Sequence, residues 1–188
     1  MTGHRFKPEK ADKLIDPKRK ELFTPESVIE LLNIKGSDLV ADLGAGNGYL
    51  TLPIAKETQG TVYAVDIEPQ MLDLLKERAN NEGITNIQYT VSNLENIDLP
   101  DDSIDKAVVA FVLHEVSDLK KVLSEFKRIL TSGSKLLVLE WEAIETEIGP
   151  PLEERIPSDG LHQIFMENEL VSQVIDVHQA IYGIIVEF

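Results

Sequence analysis

VADLGAGNGYL, residues 40–50, decides how this chain is read. An apolar run ends in three closely spaced glycines, Gly44, Gly46 and Gly48, and a helical pattern follows. That order is a buried strand passing through a glycine loop into a helix, the usual cradle for a nucleotide. The dinucleotide pattern G-x-G-x-x-G is not met, because the third glycine comes one position early and Tyr49 stands where that pattern needs glycine. Asp42 lies just upstream, at the strand end. A pyrophosphate on a helix N-terminus needs positive potential, which a carboxylate opposes. A nucleoside with a cationic tail and no phosphate reverses the argument. S-adenosylmethionine is such a ligand, with a positive sulfonium and a positive α-amino group. Asp42 then favours the tail, directly or through water. Gly44, Ala45 and Gly46 form the loop against it, where glycine allows close approach and backbone carbonyls can accept from the amino group.

Outward from this stretch, apolar runs alternate with helical patterns. Strands are expected at 38–44, 60–67, 87–92, 103–113 and 134–141, with helices at 49–58, 69–83 and 117–130. Near-continuous Val/Ile/Leu runs separated by helices mean a parallel sheet covered on both faces. A loop rich in acids and prolines (142–157) leads to a helix near 158–168. Two strand-like runs then follow with no helix between them, so they form a hairpin and an antiparallel edge. The fold class is α/β, Rossmann-like. One domain of 188 residues is expected, divided into an N-terminal helical arm (1–33), a core (34–141) and a segment completing the sheet (142–188).

Asp66 ends the second strand in VYAVDIE. An acid there can accept from both ribose hydroxyls. The alternative is a helix N-cap ahead of Pro69.

Four stretches in order, VADLGAGNGYLTLPIA, VYAVDIEPQML, SNLENIDLPDDSIDKAVVAFVLHEV and FKRILTSGSKLLVLEW, resemble the successive motifs of class I S-adenosylmethionine-dependent methyltransferases. The likeness is greatest to the small-molecule branch that includes ubiquinone/menaquinone-type C-methyltransferases, and runs from about Asp38 to Trp141. It implies a seven-stranded, mostly parallel sheet with a reversed last strand, in agreement with the hairpin read above. It implies S-adenosylmethionine as cofactor and S-adenosylhomocysteine as product. Asn93 takes the place of the family's aspartate that accepts from the adenine amino group; an amide oxygen can still accept that bond. The Leu94 N–H would then reach the adenine ring and Ile67 would pack on its face. As a plain turn residue, Asn93 would have no such role.

The fourth strand ends in AFVLHEV. Ligands of open parallel sheets bind beyond the carboxyl ends of the strands. His114 and Glu115 are therefore the candidate catalytic residues, with His114 a base or orienting group because imidazole titrates near neutrality. The bland alternative is loop packing for His114 and an ion pair for Glu115. Phe6, Tyr49 and Phe111 are candidate walls of a substrate pocket, with Phe23 beside them. Arg5, Lys7, Lys13 and Arg19 are candidate anion contacts on an N-terminal lid.

Composition narrows the acceptor. The formal charge of −15 disfavours nucleic acid and anionic membrane surfaces as partners. Residues 1–20 carry +4 and the rest −19, a basic arm on an acidic body. Ala110-Phe111-Val112-Leu113 is unlike the Asn/Asp-Pro-Pro-Tyr/Phe motif of DNA amino-methylating relatives. The absence of cysteine excludes disulfides and thiolate metal sites, and sets aside the arsenic-methylating relatives. No metal is expected. With no secretory signal at the N-terminus, the expected location is cytoplasmic. The expected partner is a small-molecule acceptor, and a homodimer stays open. Two other readings remain: a cofactor-binding partner subunit without turnover, and an NAD-dependent oxidoreductase, which the early third glycine and Asp42 oppose.

Overall fold

The computed structural model describes residues 21–188. Helix α1 (Pro25–Leu32) starts at Thr24, whose hydroxyl accepts the Ser27 N–H at 3.2 Å, and ends at Asn33 in the left-handed conformation. There follow β1 (Val40–Leu43), α2 (Thr51–Glu57), β2 (Val62–Asp66), α3 (Pro69–Asn81), β3 (Ile87–Val91) and β4 (Ile104–Ala110). The chain then forms α4 (Leu119–Ile129), β5 (Leu130–Trp141), α5 (Ser158–Glu167), β6 (Val171–His178) and β7 (Ile181–Glu187).

The seven strands form one sheet in the order β3-β2-β1-β4-β5-β7-β6. The first five are parallel; β7 runs antiparallel to β5, and β6 antiparallel to β7. The expected C-terminal hairpin is therefore present, and the sequence-predicted fold class holds. Strand order reverses between β1 and β4, which places a crevice at their carboxyl ends.

Alternate residues of each central strand enter cores on opposite faces of the sheet. Ala41 and Leu43 of β1, Ala107 and Val109 of β4, and Leu136 and Val138 of β5 pack with Phe126 and Ile129 of α4 and with Leu161 and Phe165 of α5. Val40, Val108, Leu137 and Leu139 pack instead with Phe23, with Val28 and Leu32 of α1, and with Ile54 of α2. A strand covered on both sides has no polar face, hence the unbroken apolar runs. β6 is different: it is the outer strand, and Val171 and Val174 remain exposed.

Two elements differ from expectation. β5 begins at Leu130, directly after α4, because Leu130 already pairs with Ile104 before the register shifts. The 142–157 loop contains a 3-10 turn at Leu152–Glu154 and is gathered around the buried Arg155. Among the described residues no helix is long and apolar enough to cross a membrane.

Candidate functional site

The crevice is built from loops that follow β1, β2, β3 and β4. The Gly44 and Ala45 N–H groups both donate to the Val65 carbonyl, at 2.8 and 2.9 Å, so the glycine loop is tied to β2. Gly44 has φ +85°, and a Cβ there would lie 2.4 Å from Val112 Cγ2. The missing side chain lets the turn after β4 close onto the loop after β1. Gly48, at φ +90°, leaves room for Leu75 of α3 in the same way.

Asp66 joins this loop to β2. Its Oδ2 accepts the Gly46 N–H at 2.7 Å and its Oδ1 accepts the Glu68 N–H at 2.9 Å. The N-cap of α3 is Glu68, so Asp66 does not cap that helix. A carboxylate offers about four acceptor sites, and these bonds use two. Burial pushes the Asp66 carboxyl above its usual range against the lowering effect of the Glu68, Gly46 and Ile67 N–H groups, and the charge of Glu68 adds to the rise. Asp42 is buried and accepts the Thr51 hydroxyl at 2.6 Å. Two carboxylates thus flank one glycine loop. Such a set fits a ribose diol and a cationic tail, and it repels a pyrophosphate.

The loop after β3 forms the adjoining wall. Asn93 is exposed, and its side-chain oxygen accepts the Glu95 N–H at 3.0 Å, an Asx turn that leaves a second lone pair. The Leu94 side chain is in the core, and Ile67 is half-buried beside Asp66. Helix α4 and the turn before it pin this wall. Glu95 accepts from the Ser117 N–H and hydroxyl, both at 2.9 Å, and from the Asp118 N–H at 3.0 Å. Glu125 accepts the Ile97 N–H at 2.7 Å and pairs with Arg128. Arg128 in turn donates to the Ile97 and Leu99 carbonyls, each at 2.7 Å.

The Ser117 hydroxyl holds the Glu95 carboxyl below its usual range, and the Arg128 guanidinium does the same for Glu125. A carboxyl with a lowered folded-state pKa contributes stability above its unfolded value, here 4.5, which is lost as pH falls through the folded value. The melting temperature should therefore drop on acidification below pH 4.5, and Glu125→Gln should flatten that drop. Thermal melts across the acid range check both.

The fourth loop carries the candidate acid–base groups. Phe111 closes β4 with φ +60°, an unusual conformation for a bulky residue that costs on the order of 1–3 kcal/mol. Its N–H donates to the Leu139 carbonyl at 2.8 Å. Its ring stands 5.4 Å from those of Phe23 and Trp141, and Phe23 is 5.4 Å from Tyr49. The Tyr49 hydroxyl donates to the Phe23 carbonyl at 3.1 Å. This aromatic row links α1, the glycine loop, β4 and β5.

Val112 leads into a 3-10 turn, Leu113–Glu115. The His114 side chain is only 5% exposed, and its Nδ1 lies 2.9 and 3.1 Å from the two oxygens of Glu140 on β5. Glu140 is fully buried and also accepts the N–H groups of Leu113 at 2.8 Å, His114 at 3.3 Å and Trp141 at 3.2 Å. Burial pulls the imidazole pKa down, but the hydrogen bond and charge of Glu140, with Glu115 and Glu154, outweigh it and the net shift is upward. Glu115 Oε1 is 3.9 Å from His114 Nε2.

The structure brings Asp42, Gly44, Ala45, Gly46 and Asp66 together at one loop, and the Val112–Gly44 contact sets the His114 turn against it. Phe6 and the basic residues of the arm lie outside the described residues. Sequence reading missed two residues. Glu140 carries a recognisable signal: in LVLEW, as in VADLG and VYAVD, an acid ends a buried apolar strand. Arg155 carries none, since an arginine in an acid-rich loop reads as surface.

A family model described as "Methyltransferase domain" matches residues 41–138. The Ubiquinone/menaquinone biosynthesis C-methyltransferase UbiE of Hydrogenovibrio crunogenus is 37% identical over 119 residues, 62% of this chain and 47% of that protein. The protein of the same name from Vibrio campbellii is 33% identical over 143 residues, 74% of this chain and 54% of that protein. The chain thus spans about half the length of these curated relatives. The crystal structure of a SAM dependent methyltransferase from Aquifex aeolicus superposes with a TM-score of 0.91 at 32% identity, covering 97% of this chain and 98% of that one. These findings agree with the cofactor read from the glycine loop, S-adenosylmethionine. The chain belongs to the S-adenosylmethionine-dependent methyltransferases.

Proposed function

We propose that this chain transfers a methyl group from S-adenosylmethionine to a small, flat, proton-bearing aromatic acceptor. The observation that carries the reading is the pair of carboxylates, Asp42 and Asp66, around a glycine loop at the point where strand order reverses. In this reading Asp66 uses its two remaining acceptor sites on the ribose hydroxyls, and Asp42 places negative charge near the cationic tail. Asn93 accepts from the adenine amino group through its second lone pair, the Leu94 N–H donates to the ring, and Ile67 packs on its face. When bound, S-adenosylmethionine supplies a methyl group on positively charged sulfur. The protein's own contribution is to hold the acceptor in line and to keep water out.

The aromatic row supports a flat acceptor. Tyr49, Phe111 and Trp141 are each partly exposed, and Phe111 and Trp141 sit where β4 and β5 end. The relatives' names place them in quinone biosynthesis as carbon methyltransferases, and a hydroxylated ring is the corresponding class here. The charge of −15 turns away nucleic acids as acceptors.

Calorimetric titration with S-adenosylmethionine, S-adenosylhomocysteine and NAD tests the cofactor, followed by turnover against hydroxylated aromatics, amines and thiols. The expected result is binding of the first two ligands, no response to NAD, and methylation confined to hydroxylated rings. Tight NAD binding without response to the sulfonium would sink the reading, and so would turnover confined to thiols or amines.

A further inference from the structure

We infer that Glu140 is a positioning residue that makes His114 the proton acceptor of the reaction, so that the acceptor is a molecule that must lose a proton to be methylated. The inference rests on the methyl-transfer reading and names the class of acceptor within it.

The first support is the charge on Glu140. Three backbone N–H groups converge on it, from Leu113, His114 and Trp141. Those alone could be met by a neutral amide, without the cost of burying an anion. Glu140 is a carboxylate with no exposed surface, at the carboxyl end of a central strand. Among the described residues, the side-chain partner able to become a cation beside it is the His114 imidazole, 2.9 Å away. A buried carboxylate on an imidazole stabilises the protonated ring, and so strengthens the ring as a base.

The second support is direction. With Nδ1 donating to Glu140, the neutral ring carries its proton on Nδ1 and its lone pair on Nε2. Nε2 lies 3.9 Å from Glu115, beyond hydrogen-bond length. The same turn follows Val112, which packs against Gly44 of the cofactor loop. A base at the carboxyl ends of β4 and β5 stands where an open α/β sheet binds its ligands.

The groups facing the ring come from three elements. Glu140 comes from β5, Glu115 from the ring's own turn and Glu154 from the 3-10 turn after the 142–151 loop, and all three raise its proton affinity. Tyr182 of β7 pairs with Glu140 across the sheet. Its hydroxyl donates to the Ile156 carbonyl at 2.9 Å, and burial together with Glu140, Glu142 and Asp159 pushes its pKa up, so it stays neutral.

The chemistry balances. Transfer forms a bond from the acceptor oxygen or carbon to the methyl carbon and breaks the carbon–sulfur bond, whose electron pair stays on sulfur. The positive charge lost from sulfur leaves with the acceptor's proton, which Nε2 takes and later gives to water. A phenol or an activated ring carbon needs this service, whereas a tertiary amine or a thioether has no proton to give.

The test uses the full chain, Glu140→Gln and His114→Gln, with 1,4-dihydroxynaphthalene and catechol as proton-bearing probes and pyridine, whose nitrogen is methylated without loss of a proton, as the control probe. Nitrogen-15 NMR of the imidazole should show the Nδ1–H tautomer, titrating above 6.5 in the parent. Glu140→Gln should lower the ring's proton-binding constant about tenfold. Each variant should lose about 100-fold in kcat on the proton-bearing probes, while affinity for S-adenosylmethionine holds within about twofold. The acidic limb of the rate profile should move to lower pH in Glu140→Gln, a shift that a merely structural role would not produce. His114→Gln should give the same kcat loss should Glu140→Gln fail to fold.

An unchanged kcat and pH profile in a folded Glu140→Gln, an Nε2–H tautomer, or equal turnover of pyridine would overturn the inference. A parent chain that binds the cofactor and methylates none of the probes would instead count against the proposed acceptor, and the NMR titration would still decide the dyad.

Discussion

Replacing Asp66 with alanine should lower the affinity for S-adenosylmethionine about 100-fold and leave the fold standing. The carboxylate has two acceptor sites committed, to Gly46 at 2.7 Å and Glu68 at 2.9 Å. In the proposed reading its remaining lone pairs accept from a ribose diol. A hydrogen bond to a charged group contributes roughly 1.5–3 kcal/mol, and 100-fold corresponds to about 2.7 kcal/mol. The expected loss is therefore less than the sum of two full bonds. The same substitution leaves the Gly46 N–H without its acceptor, which loosens the cofactor loop and adds to the loss. Asp66→Asn should fall between, since its amide oxygen can replace one oxygen but not both. Asp66 is only half-buried and the loop stays tied through Gly44 and Ala45 to Val65, so the melting temperature should change little. Titration calorimetry with a thermal melt checks both parts. An alanine variant that binds within about threefold of the parent would remove Asp66 from the cofactor site.

The second large effect belongs to Arg155. A guanidinium has five N–H donors, and all of them are used. Nε donates to the Pro150 carbonyl at 3.0 Å. One terminal nitrogen donates to the Glu142 and Ile144 carbonyls at 3.3 and 2.8 Å. The other donates to the Thr146 hydroxyl and the Ile148 carbonyl at 2.8 and 2.9 Å. The charged group lies 5.5 Å from the centre of the Trp141 ring, a cation–π contact. The loop from 142 to 155 is therefore wound around one side chain, directly beyond the strand end that carries Glu140. Arg155→Met should destabilise the protein by about 3 kcal/mol, in the range for removing one member of a buried charged network. That corresponds to a fall of roughly 6–12 °C in melting temperature for a chain of this size. Lysine should not restore it, because a point charge cannot serve acceptors arranged for a planar fork. Amide exchange in residues 144–151 should rise in both variants. A melting point within about 2 °C of the parent would show that the loop holds without its arginine.

The βαβ order was legible because it depends on local periodicity. Strands that are buried on both faces must be apolar throughout, and helices that cover them must be apolar at helical spacing. Pro69 at the first position of α3 and Gly83 after it mark its ends for equally local reasons. The positions of Asp42 and Asp66 were legible too: both stand near the ends of apolar strands, and the structure places both beside the glycine loop. Asn93 was read less completely. The resemblance implied an adenine contact, and the structure shows the side chain closing an Asx turn with Glu95, a backbone matter of two residues.

The chain alone thus determined the parallel sheet, the hairpin edge, the glycine loop and the choice of a cationic, phosphate-free cofactor. Each follows from patterns within about twenty residues. The tertiary structure decided what surrounds the acceptor position. Glu140 and His114 are 26 residues apart and meet because β4 and β5 pair in parallel register, Ala110 against Leu139. The left-handed Phe111 persists because the Leu139 carbonyl and the rings of Phe23 and Trp141 hold it. Arg155 is a loop centre because five acceptors converge on it from a stretch with no periodicity to read. Such contacts depend on register and on three-dimensional convergence, which a linear pattern of apolar and polar residues does not encode.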